Sequence, residues 1–159
     1  MSFIATAPDT VPDAPPGAAT IRNDGWFPDI DMAKAREALR LDGTVTNERL
    51  RRALVDAMFS VNSDLKGWQV QQKAAGHSDL AAVPAMQLDG VSVNVSRYQT
   101  AVYCLARASV TERYRSFDST KSGHGAADEL DCTIDDDRRD ARFAVRDILG
   151  VTHVTVELL

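Results

Sequence analysis

Residues 97 to 117, RYQTAVYCLARASVTERYRSF, form the stretch of sequence that decides the fold. Apolar or small side chains recur along it every three or four residues, at Tyr98, Ala101, Val102, Leu105, Ala108, Ser109 and Tyr114. This period is typical of an α-helix with one buried face. We expect the helix to extend from Val91 or Ser92 to Arg115, and its apolar face requires cover from other helices of the chain.

Three further helices are predicted by the same kind of pattern. They span 32–41, 47–75 and 126–149, and Gly43 and Gly150 follow the first and the last of them as C-terminal stops. Aromatic residues make up only 6% of the chain, which favours a core of aliphatic side chains packed between helices. The predicted fold class is therefore all-α, a bundle of one short and three long helices.

The helix predicted over 47–75 carries a stripe for helix packing. Its apolar side chains lie at near-heptad spacing, at Leu50, Leu54, Ala57, Val61, Leu65 and Trp68. Gly67 interrupts this helix with a residue of low helix propensity. We expect a kink or a close approach of another helix at that position.

The two ends of the chain differ from the helical part. Residues 1–25 hold four of the six prolines, so we expect a flexible arm that either has no role or orders on a neighbouring subunit. Residues 26–150 form the predicted helical domain. Residues 151–159, VTHVTVELL, predict an extended, β-type tail. Because the sequence offers this tail no partner strand, we expect it to pack on, or pair with, another chain.

The composition limits the classes of function. The net charge is −5, so no overall basic field attracts nucleic acid or an anionic membrane. No apolar run approaches the roughly 18 residues of a membrane span, and the start MSFIATAPDT lacks the regions of a signal peptide. Cys104 and Cys132 form no CxxC pair and are expected to stay reduced. We expect a protein made in a cytoplasm, with no membrane partner.

Motifs for catalysis or metal binding are missing from the sequence. It contains no HExxH, GxxxxGK[ST] or GxSxG motif and no EF-hand loop. His77, His124 and His153 lie in separate predicted loops or tails, which argues against a histidine metal site. We therefore expect no enzyme activity, no cofactor and no bound metal.

Acidic side chains gather near the start of the last predicted helix. Asp128, Asp131 and Asp135 share one face of it, and nucleases group carboxylates in this way to hold Mg²⁺. Four arginines follow at once, at Arg138, Arg139, Arg142 and Arg146. We interpret the acidic face as exposed to solvent or salt-bridged to another subunit. A carboxylate-based nuclease is the alternative from the enzyme class.

Basic side chains lie on the helix that contains residues 97–115. Arg107, Arg113 and Arg115 are spread widely along it, with no aromatic side chains between them toward solvent. Such a pattern is only weak evidence that this helix reads nucleic acid directly. We interpret these three arginines as interface charges that face a neighbouring subunit.

Several long stretches resemble one protein family. They are FPDIDMAKAREALRLDGTVTNERLRRAL (27–54), RYQTAVYCLARASVTERYRSFDST (97–120), ADELDCTIDDDRRDARFAVRDILG (127–150) and TVELL (155–159). In this order they are similar to the head completion proteins (GPL) of contractile-tailed bacteriophages. The resemblance covers roughly residues 26 to 159, and the Ala- and Pro-rich arm lies outside it.

The resemblance implies a structural virion protein and not an enzyme. Members of this family join the portal vertex of the DNA-filled head, retain the packaged DNA and provide the surface on which the tail docks. The implied partners are the portal protein and tail-terminator or tail-tube proteins. The implied location is the head–tail vertex, next to packaged DNA but without sequence-specific binding of nucleic acid.

Analogy with other helical head–tail adaptors implies a ring of roughly twelve copies, in which each interface joins two different faces. The residues expected at such interfaces, from the charges and the tail described above, are Arg107, Arg113, Arg115, Asp128, Asp131, Asp135, Val154, Val156 and Leu158. The alternative function is a helical DNA-binding component of the packaging apparatus.

Overall fold

A computed structural model describes residues 19–41, 45–115 and 124–152, without the side chains of residues 114, 115 and 124–132. The elements of this part of the chain are β1 (Thr20–Ile21), β2 (Ile30–Asp31), α1 (Met32–Ala38), α2 (Asn47–Ala74), β3 (Gln87–Leu88), β4 (Val91–Ser92), α3 (Val93–Arg115) and α4 (His124–Leu149). The predicted bundle of one short and three long helices is confirmed. Within the described residues, no helix is both long enough and apolar enough to cross a membrane.

Helix α3, which contains the stretch quoted first, is the central element of the bundle. It packs along α4 on one side and α2 on the other, whereas α2 and α4 contact each other at few positions. Tyr98, Ala101, Val102 and Ala106 have no exposed surface. Small side chains on α3 let both neighbours approach closely, so burial extends around most of this helix.

Helix α2 buries the stripe that its spacing predicts. Thr46 caps its start by accepting a hydrogen bond from the Arg49 amide at 3.4 Å. The helix continues through Gly67, and a Cβ atom there would meet nothing within 4 Å, so the close approach expected at this residue is wrong. The helix ends at Ala74, and Gly76, two residues later, has a φ of +94° that allows the His77 amide to donate to the Gln72 carbonyl at 3.1 Å.

Helix α1 ends earlier than the sequence predicts. Asp31 caps its start by accepting from the amides of Ala33 and Lys34, at 2.8 and 3.0 Å. Its last helical residue is Ala38, and Arg40 then adopts a φ of +52°. The Leu41 amide donates to the Arg36 carbonyl across this turn, so a non-glycine residue stops the helix and Gly43 is not needed.

The helical domain begins before Trp26, the start that the sequence predicts. β1 pairs antiparallel with β2, with Ile21 opposite Ile30, and Ile21 is 4% exposed. Residues 19–25 are therefore part of the folded domain, and the boundary predicted for a flexible arm at residue 25 is too late. Residues 1–18 of that predicted arm lie outside the described part of the chain.

A short hairpin joins α2 to α3. β3 and β4 pair antiparallel around Asp89 and Gly90, whose φ angles of +50° and +73° are those of a type I′ turn. The Asp-Gly turn predicted there is confirmed. At the other end of the chain, residues 153–159 lie outside the described residues, so the pairing expected for the C-terminal tail stays a prediction.

Candidate functional site

The charged residues on α3 and α4 were the main site candidates from the sequence, and Arg107 is partly buried between these two helices. Its Nε donates a hydrogen bond to Oδ2 of Asp137 at 2.7 Å, and its Nη2 forms an ion pair with the other carboxylate oxygen. The Asp137 side chain is 1% exposed and that of Arg107 is 36% exposed. This bidentate contact raises the pKa of Arg107 above its ordinary value, so the guanidinium keeps its charge beside Asp137.

The same pair affects the thiol one turn away on α3. Burial raises the pKa of Cys104, and the nearby Asp137 carboxylate raises it further. A half-buried thiol with a raised pKa is a poor nucleophile because little thiolate is present at neutral pH. This cysteine therefore contributes packing to the α3–α4 contact and no reactive group.

Ion pairs to the same chain also engage the other described arginines of α3. Arg97 contacts Asp147 of α4 at 3.0 Å, and Arg113 contacts Asp56 of α2 at 3.7 Å. A further pair between Arg138 of α4 and Glu112 of α3 has an N···O distance of 2.7 Å. The carboxylates of α2 and α4 thus balance the basic charge of α3 within the subunit, and only Arg113 remains largely exposed among the predicted interface arginines with described side chains.

Only part of the acidic face predicted on α4 lies among the residues described with side chains. Asp135 is exposed to solvent, as expected. The side chains of Asp128, Asp131 and Arg115 lie outside the described residues, as do Val154, Val156 and Leu158. Among the residues described with side chains, no three histidine, cysteine or acidic side chains are grouped closely enough to hold a metal ion.

A groove opens between α2, α3 and α4, at the side where α2 and α4 diverge. Its volume is about 270 Å³, and it is lined mainly by small side chains, with Leu105 as the largest apolar one. The lining residues from α2 and α3 that carry small side chains are Ala53, Ala57, Ser60, Ala108 and Ser109. Asp56, Glu112 and Arg138 form its charged rim. This groove was not predicted from the sequence, although small residues recur at helical spacing on both helices.

Asn23, Asn62 and Tyr98 form a closed ring of hydrogen bonds where the N-terminal segment meets the bundle. The Tyr98 hydroxyl donates to Asn62 at 2.7 Å, the Asn62 amide donates to Asn23 at 2.8 Å, and the Asn23 amide donates back to the hydroxyl at 2.8 Å. Burial raises the pKa of Tyr98, so the phenol keeps its proton. The ring joins α2, α3 and the N-terminal segment, and it has a structural role.

Aromatic side chains extend this contact. Phe27 stacks on Tyr98 with ring centroids 5.0 Å apart, and Trp26 meets Trp68 edge-on at 5.9 Å. The Trp26 indole donates to the His77 carbonyl at 3.1 Å. These contacts fix the N-terminal segment against α2 and α3.

Apolar side chains are exposed in several places on the described surface. On the outer face of α2, Phe59 is 75% exposed and Val55 is 44% exposed. On the β3–β4 hairpin, Met86 is 69% exposed and Leu88 is 59% exposed. Apolar surface of this kind is typical of contact with other macromolecules. The described residues thus offer apolar surface that suits assembly.

Comparisons with a family model and with known proteins point to the same family. The model of the phage head completion protein (GPL) family matches residues 21–159. A protein of Escherichia phage P2 described as a head completion/stabilization protein is 45% identical over 130 residues, which cover 82% of this chain and 77% of that protein. No solved structure matches the chain significantly.

Proposed function

This chain belongs to the phage head completion protein (GPL) family, and on that premise we propose that it acts as the connector between the DNA-filled head and the tail. The family is structural, so the chain is a virion component that takes part in completing the head. The proposal adds a place and a manner of action. Several copies bind the portal vertex as a ring, retain the packaged DNA and present the surface on which the tail docks.

The observation that carries this proposal is the relationship to the phage P2 protein, at 45% identity over 82% of the chain. The arrangement of the subunit supports it. Ion pairs from α3 to both neighbouring helices make a bundle whose internal charges are largely satisfied. A subunit of this kind suits a rigid adaptor, because its exposed apolar side chains remain available to other subunits.

The proposed interface residues are the predicted ones that are exposed or that lie outside the residues described with side chains. Asp135 and Arg113 are exposed on the described surface, and we place Arg115, Asp128 and Asp131 with them by their positions on the same two helices. Arg107 leaves this group because its guanidinium is taken by the buried Asp137 carboxylate. Its replacement in the list of contact candidates is the exposed Phe59.

The C-terminal tail is the proposed attachment to the portal. Its residues 153–159 carry Val154, Val156 and Leu158 at alternating positions, a pattern suited to addition as a strand to another sheet. Removal of these residues is expected to leave a folded subunit, with the far-UV circular dichroism of the parent, that no longer joins portal-containing heads. Truncated protein that still completed heads would contradict the proposed role of the tail.

The proposal as a whole is tested with phage that lacks a functional copy of this chain. The expected product is heads that package DNA and then lose it, with no tails attached, and supply of the chain in trans restores nuclease-resistant DNA in the heads. Stable filled heads with attached tails would contradict the proposal. Heads that never receive DNA would instead favour the packaging component named above as the alternative.

A further inference from the structure

We propose that the end of the bundle formed by α1 and the first turns of α2 binds the phosphate backbone of the packaged DNA without reading its sequence. The inference rests on the proposed connector role, under which the chain lies beside that DNA. It begins from an uneven distribution of charge. Residues 32–54 contain six basic and three acidic residues, a net charge of +3, in a chain whose net charge is −5. All other residues together therefore carry −8.

Contacts between α1 and α2 bring these basic residues to one end of the molecule. Nη1 of Arg51 lies 3.9 Å from Sδ of Met32. Nη2 of Arg36 donates to the Val45 carbonyl and to Oδ1 of Asn47, both at 2.8 Å. Helix α1 therefore runs antiparallel along the first turns of α2, and basic residues of both helices share this end of the bundle.

Four cations of this end are exposed to solvent, and we name them the basic end: Lys34, Arg40, Arg49 and Arg52. Within the described part of the chain, Lys34, Arg40 and Arg52 take part in no ion pair, whereas the described arginines of α3 each contact a carboxylate. Exposed ammonium and guanidinium groups bind phosphate oxygens through charge-assisted hydrogen bonds. The basic end is therefore suited to a polyanion.

The spread of these cations over two helices favours DNA over an acidic protein surface. Duplex DNA carries about one negative charge per 1.7 Å of its axis, so each cation meets a phosphate without exact placement. Carboxylates on a protein would have to match the positions of the cations one by one. A contact of this kind holds DNA in place and carries no sequence information.

The backbone at Arg40 is a second, independent observation. Arg40 follows the end of α1 with a φ of +52°, a left-handed conformation that glycine adopts readily and that disfavours residues with a Cβ atom. Its side chain is exposed, so packing inside the subunit does not account for an arginine here. Such a residue at a position where the fold favours glycine indicates a role for its guanidinium outside the subunit.

Binding of short double-stranded DNA at a series of salt concentrations tests the contact. The full-length protein is titrated into a labelled duplex, and fluorescence anisotropy gives the association constant. If Lys34, Arg40 and Arg52 each neutralise one phosphate, the logarithm of this constant falls with the logarithm of salt concentration with a slope of about −3. The triple variant with all three changed to Gln should have a slope near zero. Arg142→Gln, which removes an exposed cation of α4, is the matched control and should keep the parent slope.

The variant Arg40→Gly separates DNA binding from folding. Loss of one phosphate contact should weaken binding about fivefold to tenfold at about 0.1 M salt. The midpoint of urea denaturation should rise at the same time, because glycine removes the unfavourable left-handed conformation of arginine. A residue kept only for stability would instead lower the midpoint when replaced.

Three results would overturn the inference. They are a parent protein without salt-dependent DNA binding, a triple variant with the slope of the parent, and a triple variant that loses DNA binding in solution but still retains nuclease-resistant DNA in completed heads. The connector role fails by a different result, since it would be contradicted by stable, tailed heads formed without the chain. The last of the three results would remove the DNA contact and leave the connector role standing.

Discussion

At the scale of single residues, Asp137 shows that one run of aspartates contains both exposed and buried positions. Asp135 is exposed and Asp137 is 1% exposed, although both belong to the same run of aspartates. Asp137 lies three residues after Ile134 and four before Ala141, both buried on α4. That spacing places it on the apolar stripe, and it was readable from the sequence. The partner was not, because Arg107 is 30 residues away along the chain.

Removal of only one partner of the Arg107–Asp137 pair is expected to destabilise the folded protein strongly. Arg107→Met leaves a buried carboxylate without its cation, and the free energy of unfolding should fall by about 3 kcal/mol in urea denaturation. The double variant Arg107→Met with Asp137→Leu should recover most of that loss, since no charge is then buried. Arg139→Gln breaks only exposed contacts and should leave the free energy of unfolding nearly unchanged. A loss in Arg107→Met as small as in Arg139→Gln would contradict this description.

Asp24 is expected to make the folded state sensitive to acid. Burial raises its pKa, but hydrogen bonds from Phe27, Gln69 and Trp26 outweigh burial and hold the pKa below the ordinary value of 3.8. Because the folded pKa is the lower one, this contribution is present above the unfolded pKa and is lost as the pH falls through the folded pKa. Between about pH 5 and pH 2, the free energy of unfolding should therefore fall more steeply in the parent than in Asp24→Asn.

Urea denaturation at a series of pH values measures this difference. The exposed Asp64→Asn serves as the control and should keep the slope of the parent. Parallel stability curves for the parent and Asp24→Asn would show that the carboxylate is not coupled to the contacts of the N-terminal segment.

At the scale of elements, the long helices could be predicted because their pattern repeats over many turns. The stripe on α2 and the apolar face of α3 are both buried, as periodicity indicated. The strands could not be predicted in this way, since two residues are too few to show a period of two. The N-terminal segment was missed for another reason. It is held by Asn23 and Asp24, whose partners Tyr98 and Gln69 lie far along the chain, so local composition pointed to an arm.

The candidate site also has features that the sequence predicted and features that depend on tertiary packing. The arginines of α3 were found from the sequence as charges, but their partners in α2 and α4 are set by tertiary packing. The groove required the divergence of α2 from α4, which no local pattern encodes. The exposure of Phe59 likewise depends on which face of α2 the other helices leave uncovered.

Helix α2 is expected to tolerate one glycine substitution and not another. Gly67→Ala adds a methyl group that meets nothing within 4 Å and should raise the free energy of unfolding by about 1 kcal/mol. Gly76→Ala places a side chain at a φ of +94° and should lower it by about 1 kcal/mol or more, although the surrounding space is equally open. Thermal and urea unfolding of the two variants checks both signs. Destabilisation by Gly67→Ala would mean that α2 is not regular at that residue.

At the scale of the whole molecule, the chain is a helical subunit in which Arg97, Arg107 and Arg113 of α3 pair with carboxylates of the same chain and several apolar side chains are exposed. Family membership establishes a structural role in phage head completion. The proposed steps beyond it are the ring at the portal vertex and the tail as an attachment strand. Each step assigns a different part of the chain to a different partner, so the steps are separable by experiment.

Imaging the head–tail vertex of intact virions by electron cryomicroscopy tests the central claim most directly. The connector role predicts a ring of several copies of this helical bundle between the portal and the tail, with α2, α3 and α4 recognisable as three packed helices in each copy. A vertex in which the portal contacts the tail proteins directly, with no density for this chain between them, would contradict the account.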